Sequence, residues 1–121
     1  MATNTFKRFV ASSISNNSGS PTTVYTCATN KSSIIIGAMI TNKTATDATC
    51  TIQLVTAITA DAGGSPYYLV KDLSVPKAST VELALGKVIL THDNSNGDII
   101  KAYGSAATTF DVILSILEDV N

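Results

Sequence analysis

Short apolar runs alternate with polar breaks along nearly the whole chain. The plainest unit is a hairpin. Residues 33–41, SIIIGAMIT, form an apolar strand, residues 42–47 a polar turn, and residues 48–56 a return strand rich in β-branched side chains. Residues 22–28 read as a strand with Val24, Thr26 and Ala28 on one face and Tyr25 and Cys27 on the other. Residues 67–75 form the next strand, stopped by Pro76, which has no N–H to give to a ladder. Residues 80–85 alternate, placing Val81, Leu83 and Leu85 inward and Glu82 and Ala84 outward. Short strands at 88–90 and 99–103 precede a final one at 110–117. There Phe110, Val112, Leu114 and Ile116 make one inward row, and Ile113 and Leu117 fall on the opposite face. If that face is wet it is an apolar patch in need of a partner. A helix over 111–119 is the competing reading, and the density of Val and Ile favours the strand.

Two stretches depart from the alternation. Ile34-Ile35-Ile36 is continuous, which predicts a strand covered on both faces. Gly37 beside it marks a bulge or a close backbone approach. Residues 5–14 alternate only weakly, so residues 1–15 read as an N-terminal arm or an edge strand, with residues 16–121 as the domain. Phe6 and Phe9 lie three apart, a poor fit to a strand face and a better one to an arm anchored on a neighbouring subunit. The breaks at 16–21, 30–32, 59–66, 92–98 and 104–108 are rich in Asn, Asp, Ser, Gly and Pro, and Asp61-Ala62-Gly63-Gly64-Ser65-Pro66 reads as a flexible loop. About eight short strands at this spacing predict an all-β chain folded as a single antiparallel β-sandwich, Ig-like or jelly-roll-like.

Composition sharpens the picture. Charged residues are 14% of 121, well below the usual share of about 25%. Ser and Thr fill the gap, at roughly a quarter of the chain. The net charge is -1, so copies repel one another weakly and association is favoured. Basic residues are scattered, with Lys7-Arg8 as the one adjacent pair, so nucleic acid is not an expected partner. Cys27 and Cys50 lack the spacing of a zinc or redox motif and read as buried free thiols, though neighbouring strands would permit a disulfide. No secretory h-region is visible near Met1, and no apolar run reaches the ~18 residues of a membrane helix, so neither export nor membrane insertion is expected. The Asn16, Asn30 and Asn42 sequons then read as turns rather than glycan sites.

Candidate chemistry is sparse. His92 is the one histidine, with Asp93 and Asp98 close in sequence, but no Gly-x-Ser-x-Gly elbow supplies a nucleophile. Asp72, Glu82 and Asp111 sit at outward strand positions and form no pair suited to glycoside hydrolysis. Asn94, Asn96 and Asp98 alternate like calcium ligands, but the first position lacks a carboxylate and no bidentate Glu closes the loop. No catalytic residue, cofactor or metal ligand is expected. Tyr67 and Tyr68, beside Gly63-Gly64, suit a glycan-stacking platform, which gives a carbohydrate-binding module as the rival function. But adjacent rings face opposite sides of a strand and there is no Trp, so the favoured reading puts one Tyr in the core and one at a rim or subunit contact.

The order of these elements carries a resemblance. Val24-Tyr25-Thr26 is followed by Ile34-Ile35-Ile36-Gly37, Ile40-Thr41-Asn42 and the Thr-rich return strand. Residues 68–76, YLVKDLSVP, 86–90, GKVIL, and 97–102, GDIIKA, complete it. Across residues 22–118 this resembles the small β-sandwich virion structural proteins of tailed bacteriophages, of the capsid-decoration or neck and tail accessory type. The resemblance rests on turns and strands, with no catalytic signature. It implies a non-enzymatic, multicopy particle component, assembled in a host cytoplasm and resident in the virion. Its partners would be its own copies, as a homo-oligomer such as a trimer, and major capsid or neck and tail proteins. The surplus apolar positions Phe6, Phe9, Ile113, Leu117 and Val120 are the expected contact residues.

Overall fold

A computed structural model describes residues 5–27, 31–56, 66–83, 88–92 and 97–118. Nine strands run through them: β1 (Thr5–Ala11), β2 (Thr22–Thr26), β3 (Ser33–Asn42), β4 (Ala48–Val55), β5 (Tyr67–Val75), β6 (Thr80–Leu83), β7 (Val88–Leu90), β8 (Ile99–Gly104) and β9 (Phe110–Glu118). One sheet has the order β1-β9-β3-β6, with β7 also paired to β3, and the other the order β2-β8-β4-β5. All pairs are antiparallel. The first strand pairs with the last, the second with the last but one, and β4 with β5, so the chain is a long double ribbon wrapped into two layers. Of the two sandwich types expected, this pairing is the jelly roll.

The core lies between the sheets. Phe110, Val112, Leu114 and Ile116 of β9 are fully buried, as the alternation predicts. Ile35, Ala38 and Ile40 of β3 line up beside them, and Ile52, Val75, Ile100 and Ala102 of the other sheet face them. Cys27 and Cys50 are both buried and free. Burial pushes both thiols up, Cys50 to about 12. Gly104 is required by packing, since a Cβ there would lie 2.6 Å from the Phe110 ring.

Several expectations are corrected. Ile34-Ile35-Ile36 is not covered on both faces. Ordinary alternation leaves Ile35 fully buried and Ile36 exposed, and a bulge between Ile35 and Gly37 then shifts the phase so that Ala38 and Ile40 face inward. Gly37 serves that bulge and not a close approach, because a Cβ there would meet nothing within 4 Å. A second bulge, between Thr23 and Tyr25, puts both Val24 and Tyr25 in the core, where alternation had separated them. Strand β2 also stops at Thr26. Of the arm and the edge strand expected at the N-terminus, residues 5–11 form the edge strand, hydrogen-bonded along their length to β9 in register from Thr5 with Glu118 to Ala11 with Val112. Asp98, expected in a solvated turn, is buried, and its carboxylate accepts a hydrogen bond from the Thr91 N–H at 2.9 Å.

Buried polar groups pin the two ends of the sandwich. At one end the Tyr25 hydroxyl donates to Glu118 at 3.0 Å and lies 2.7 Å from the Ser33 hydroxyl. Lys7 donates to the other Glu118 oxygen at 3.1 Å. Burial pushes the Tyr25 hydroxyl well above the usual tyrosine range, with the Ser33 hydrogen bond opposing and Glu118 reinforcing the shift. At the other end Asn42, fully buried, donates to the Thr46 and Val75 carbonyls and accepts from the Thr44 N–H. It thereby ties the β3–β4 turn to the end of β5.

Candidate functional site

Strand alternation sends every second residue of the five-stranded sheet outward, and register aligns those residues in rows across the strands. The first row is Phe6, Leu117, Ile34 and Ile89, one from each of β1, β9, β3 and β7. The next is Arg8, Ser115 and Gly37, and the third is Val10, Ile113, Met39 and Glu82. The fourth is polar: Asp111, Thr41 and Thr80, with Ser12 donating to Asp111 at 2.8 Å. The face is therefore two apolar ridges, a low middle row and a polar border.

Its side chains are uncovered. Phe6 is 77% exposed, Val10 and Ile89 63% each, and Ile36 and Met39 also stand clear. These are five of the seven large hydrophobics exposed among the described residues. Their concentration on one sheet face is the informative point, since scattered exposed hydrophobics need no explanation. The middle row makes a furrow because glycine has no side chain there and Ser115 a short one. A depression of about 580 Å³ lies against Phe6, Arg8, Ile36 and Ser115, and a smaller one of about 180 Å³ continues past Gly37 and Met39 to Glu82.

The border is fixed electrostatically. Lys43 sits 3.0 Å from the Asp111 carboxylate, which also accepts from the Ser12 hydroxyl and the Ser13 N–H. Partial burial pushes the Asp111 carboxyl up, but the hydrogen bonds from Lys43, Ser12 and Ser13 and the Lys43 charge outweigh it, so the group lies below the usual carboxylate range. Arg8 and Glu82, at opposite margins of the face, are exposed and have no ion pair among the described residues.

The contact residues expected from sequence divide three ways. Phe6, Ile113 and Leu117 come together on this face, with Ile113 and Leu117 half-buried between their neighbours. Phe9 does not join them. It points inward and packs on Tyr25 with ring centroids 4.5 Å apart. Three-residue spacing on a strand puts two side chains on opposite faces, which is why the two phenylalanines part. Val120 lies outside the described residues, as do Leu85 and the loop residues 61–65. Sequence reading missed Val10, Ile34, Ile36, Met39 and Ile89. Period-two spacing from Phe6 would have found Val10, and from Ile34 the bulge shifts the phase before Met39.

The other candidates look different in three dimensions. Tyr67 and Tyr68 lie on the opposite sheet and are both exposed, although one was expected in the core; Tyr25 takes that place. Lys71 Nζ stands 4.9 Å from the Tyr68 ring centre, so a cation already occupies that ring. His92 is half-buried, bridged to Gly97 with its Nδ1 unpartnered among the described residues, while Asp98 binds the Thr91 backbone. Among the described residues no group of three His, Cys, Asp or Glu side chains is placed to hold a metal. Compared with known proteins, the chain matches no family model, no curated protein and no solved structure.

Proposed function

We propose that this protein is a non-enzymatic structural subunit of a tailed-phage virion, of the capsid-decoration type, working through multicopy protein–protein contacts. One observation carries the reading: the outer face of the five-stranded sheet presents two apolar rows to solvent and gathers five of the seven large hydrophobics exposed among the described residues. A face of this kind is a contact surface, because water gains its apolar area only at a cost that a partner removes. Low charge and a hydroxyl-rich surface suit repeated packing against protein. The turn-and-strand resemblance supplies the phage assignment, and the jelly roll is a frequent fold of capsid proteins, though a fold alone does not choose a function. The same face would serve a neck, tail or fibre-associated subunit.

The test is incorporation. Mass spectrometry of purified virions from a phage carrying the gene should find the chain in many copies per particle. The double variant Phe6→Ser, Val10→Ser should fold and yet be lost from particles. Absence of the wild-type chain from virions would overturn the reading.

A carbohydrate-binding module remains the second reading, favoured by the two exposed tyrosines Tyr67 and Tyr68. It requires glycan-array binding that disappears in Tyr68→Ala. Lys71 over the Tyr68 ring weighs against it, since a stacking sugar must first displace that cation.

A further inference from the structure

The outer face of the five-stranded sheet is self-complementary. A two-fold axis lying parallel to the strands, between β9 and β3, sets β1 of one copy over the β6–β7 margin of the other, and β9 over β3, with each row meeting its own level. Such stacking of sheets is the aligned kind, with mean strand directions within about 30° of each other. In the first row Phe6 then lies over Ile89 and Leu117 over Ile34. In the third row Ile113 lies over Met39, and Val10 over the aliphatic stem of Glu82. Most usefully, Ile36 of each copy, turned outward at the bulge, stands over Ser115 of the other, at the floor of the furrow. A projecting side chain on one strand and a depression on its neighbour are what an isologous interface needs.

Charge agrees with the same axis. Arg8 sits on the β1 margin and Glu82 on the β6 margin, in adjacent rows. The axis brings Arg8 of one copy to the margin that carries Glu82 of the other, twice over. The rows are about 6.8 Å apart along a strand, within reach of an arginine side chain. With this pairing the two charges of the face that have no ion pair among the described residues neutralise each other, and the remaining acid described there, Asp111, already has Lys43.

We infer that this face binds a second copy of the same chain, forming a two-fold sheet-on-sheet dimer held by the two apolar rows and by reciprocal Arg8–Glu82 pairs. The inference rests on the reading of this face as a protein contact surface and names its partner. Four strands and three rows give a flat footprint of about 400 Å². That places the interface at the small end of specific ones, so the dimer depends on concentration and is not permanent.

Sedimentation velocity on the full chain, from low to high concentration, is the first measurement, and a monomer–dimer equilibrium is the expected result. Arg8→Glu and Glu82→Arg should each weaken dimerisation by at least about tenfold, because each places like charges together. The double variant Arg8→Glu, Glu82→Arg should restore it. Both positions are exposed, so folding is not at risk, and an unchanged circular dichroism spectrum checks this. A trimer, or a dimer indifferent to both reversals, overturns the two-fold arrangement. A monomer at every concentration also overturns it. In that case, loss of the Phe6→Ser, Val10→Ser variant from virions shows that the face meets another virion protein, so the function stands while the dimer fails. Normal incorporation of that variant sinks the functional reading as well.

Discussion

The two sheets of this sandwich turn opposite kinds of surface to the outside. The β1-β9-β3-β6 sheet shows Phe6, Leu117, Ile34 and Ile89 in one row and Val10, Ile113 and Met39 in another. The outward row positions of the β2-β8-β4-β5 sheet hold Thr49 beside Ser74, Thr51 beside Tyr103, and Gln53 between Lys101 and Tyr68, with Thr51 and Gln53 covered by their neighbours. Apolar residues hold the core between the sheets, but on the outer faces the usual division of labour is reversed. On the second sheet the polar groups are structural. Thr51 is buried, and its hydroxyl accepts the Asp72 N–H at 3.0 Å, where Asp72 adopts φ 51° to make a bulge in β5. Thr49 N–H likewise donates to the Ser105 hydroxyl. On the first sheet Phe6 and Val10 are largely in water, so folding gains little from them and binding would gain more.

The comparison can be broken at graded strength. The core behind both faces sets the upper scale. Phe110→Ala should cost about 3–5 kcal/mol in urea unfolding, because a fully buried phenyl ring leaves a cavity between the sheets. A loss within about 1 kcal/mol would mean the sheets collapse to fill it.

The next test sets the two faces against each other. Thr51→Val keeps the shape but leaves the Asp72 N–H without its acceptor, and should cost about 1–2 kcal/mol. Val10→Ser, on the apolar face, should change stability by no more than about 0.5 kcal/mol. If the serine variant proves the less stable of the two, the apolar face belongs to the fold and the contrast fails.

The smallest effect concerns the polar border. The folded Asp111 carboxyl lies below the usual carboxylate range, so it contributes stability above that range and loses it as pH falls through its folded value. The group is partly exposed, which limits the contribution to no more than about 1 kcal/mol. Comparing unfolding at about pH 7 and about pH 3 should show a smaller acid loss in Asp111→Asn than in wild type. Equal losses in the two proteins would show that the border adds nothing.

How much of this was legible in the letters varies by region. The last strand was fully legible, because Phe110, Val112, Leu114 and Ile116 alternate without interruption and all four are buried. The hairpin of β3 and β4 was legible in extent but not in facing. Alternation from Ile35 already turns Ile36 outward, and a bulge then adds one residue and inverts the phase, so Met39 reaches the surface too where a covered strand was expected. The face was half legible. Ile113 and Leu117 marked it from the sequence, but Phe9 did not belong, and Ile34, Met39 and Ile89 went unnoticed.

The sequence by itself determined what is local. Period-two alternation, β-branched runs and Asn, Gly and Pro breaks were enough for an all-β sandwich, because strand and turn preferences act within a few residues. Only the tertiary structure decided that β1 pairs β9 and that β3 brings β6 and β7 to the same sheet. Those pairings join segments about a hundred residues apart in the extreme case, and no local preference encodes them. Yet they alone turn scattered hydrophobics such as Phe6, Ile34, Ile89 and Leu117 into one row, and one row into a surface.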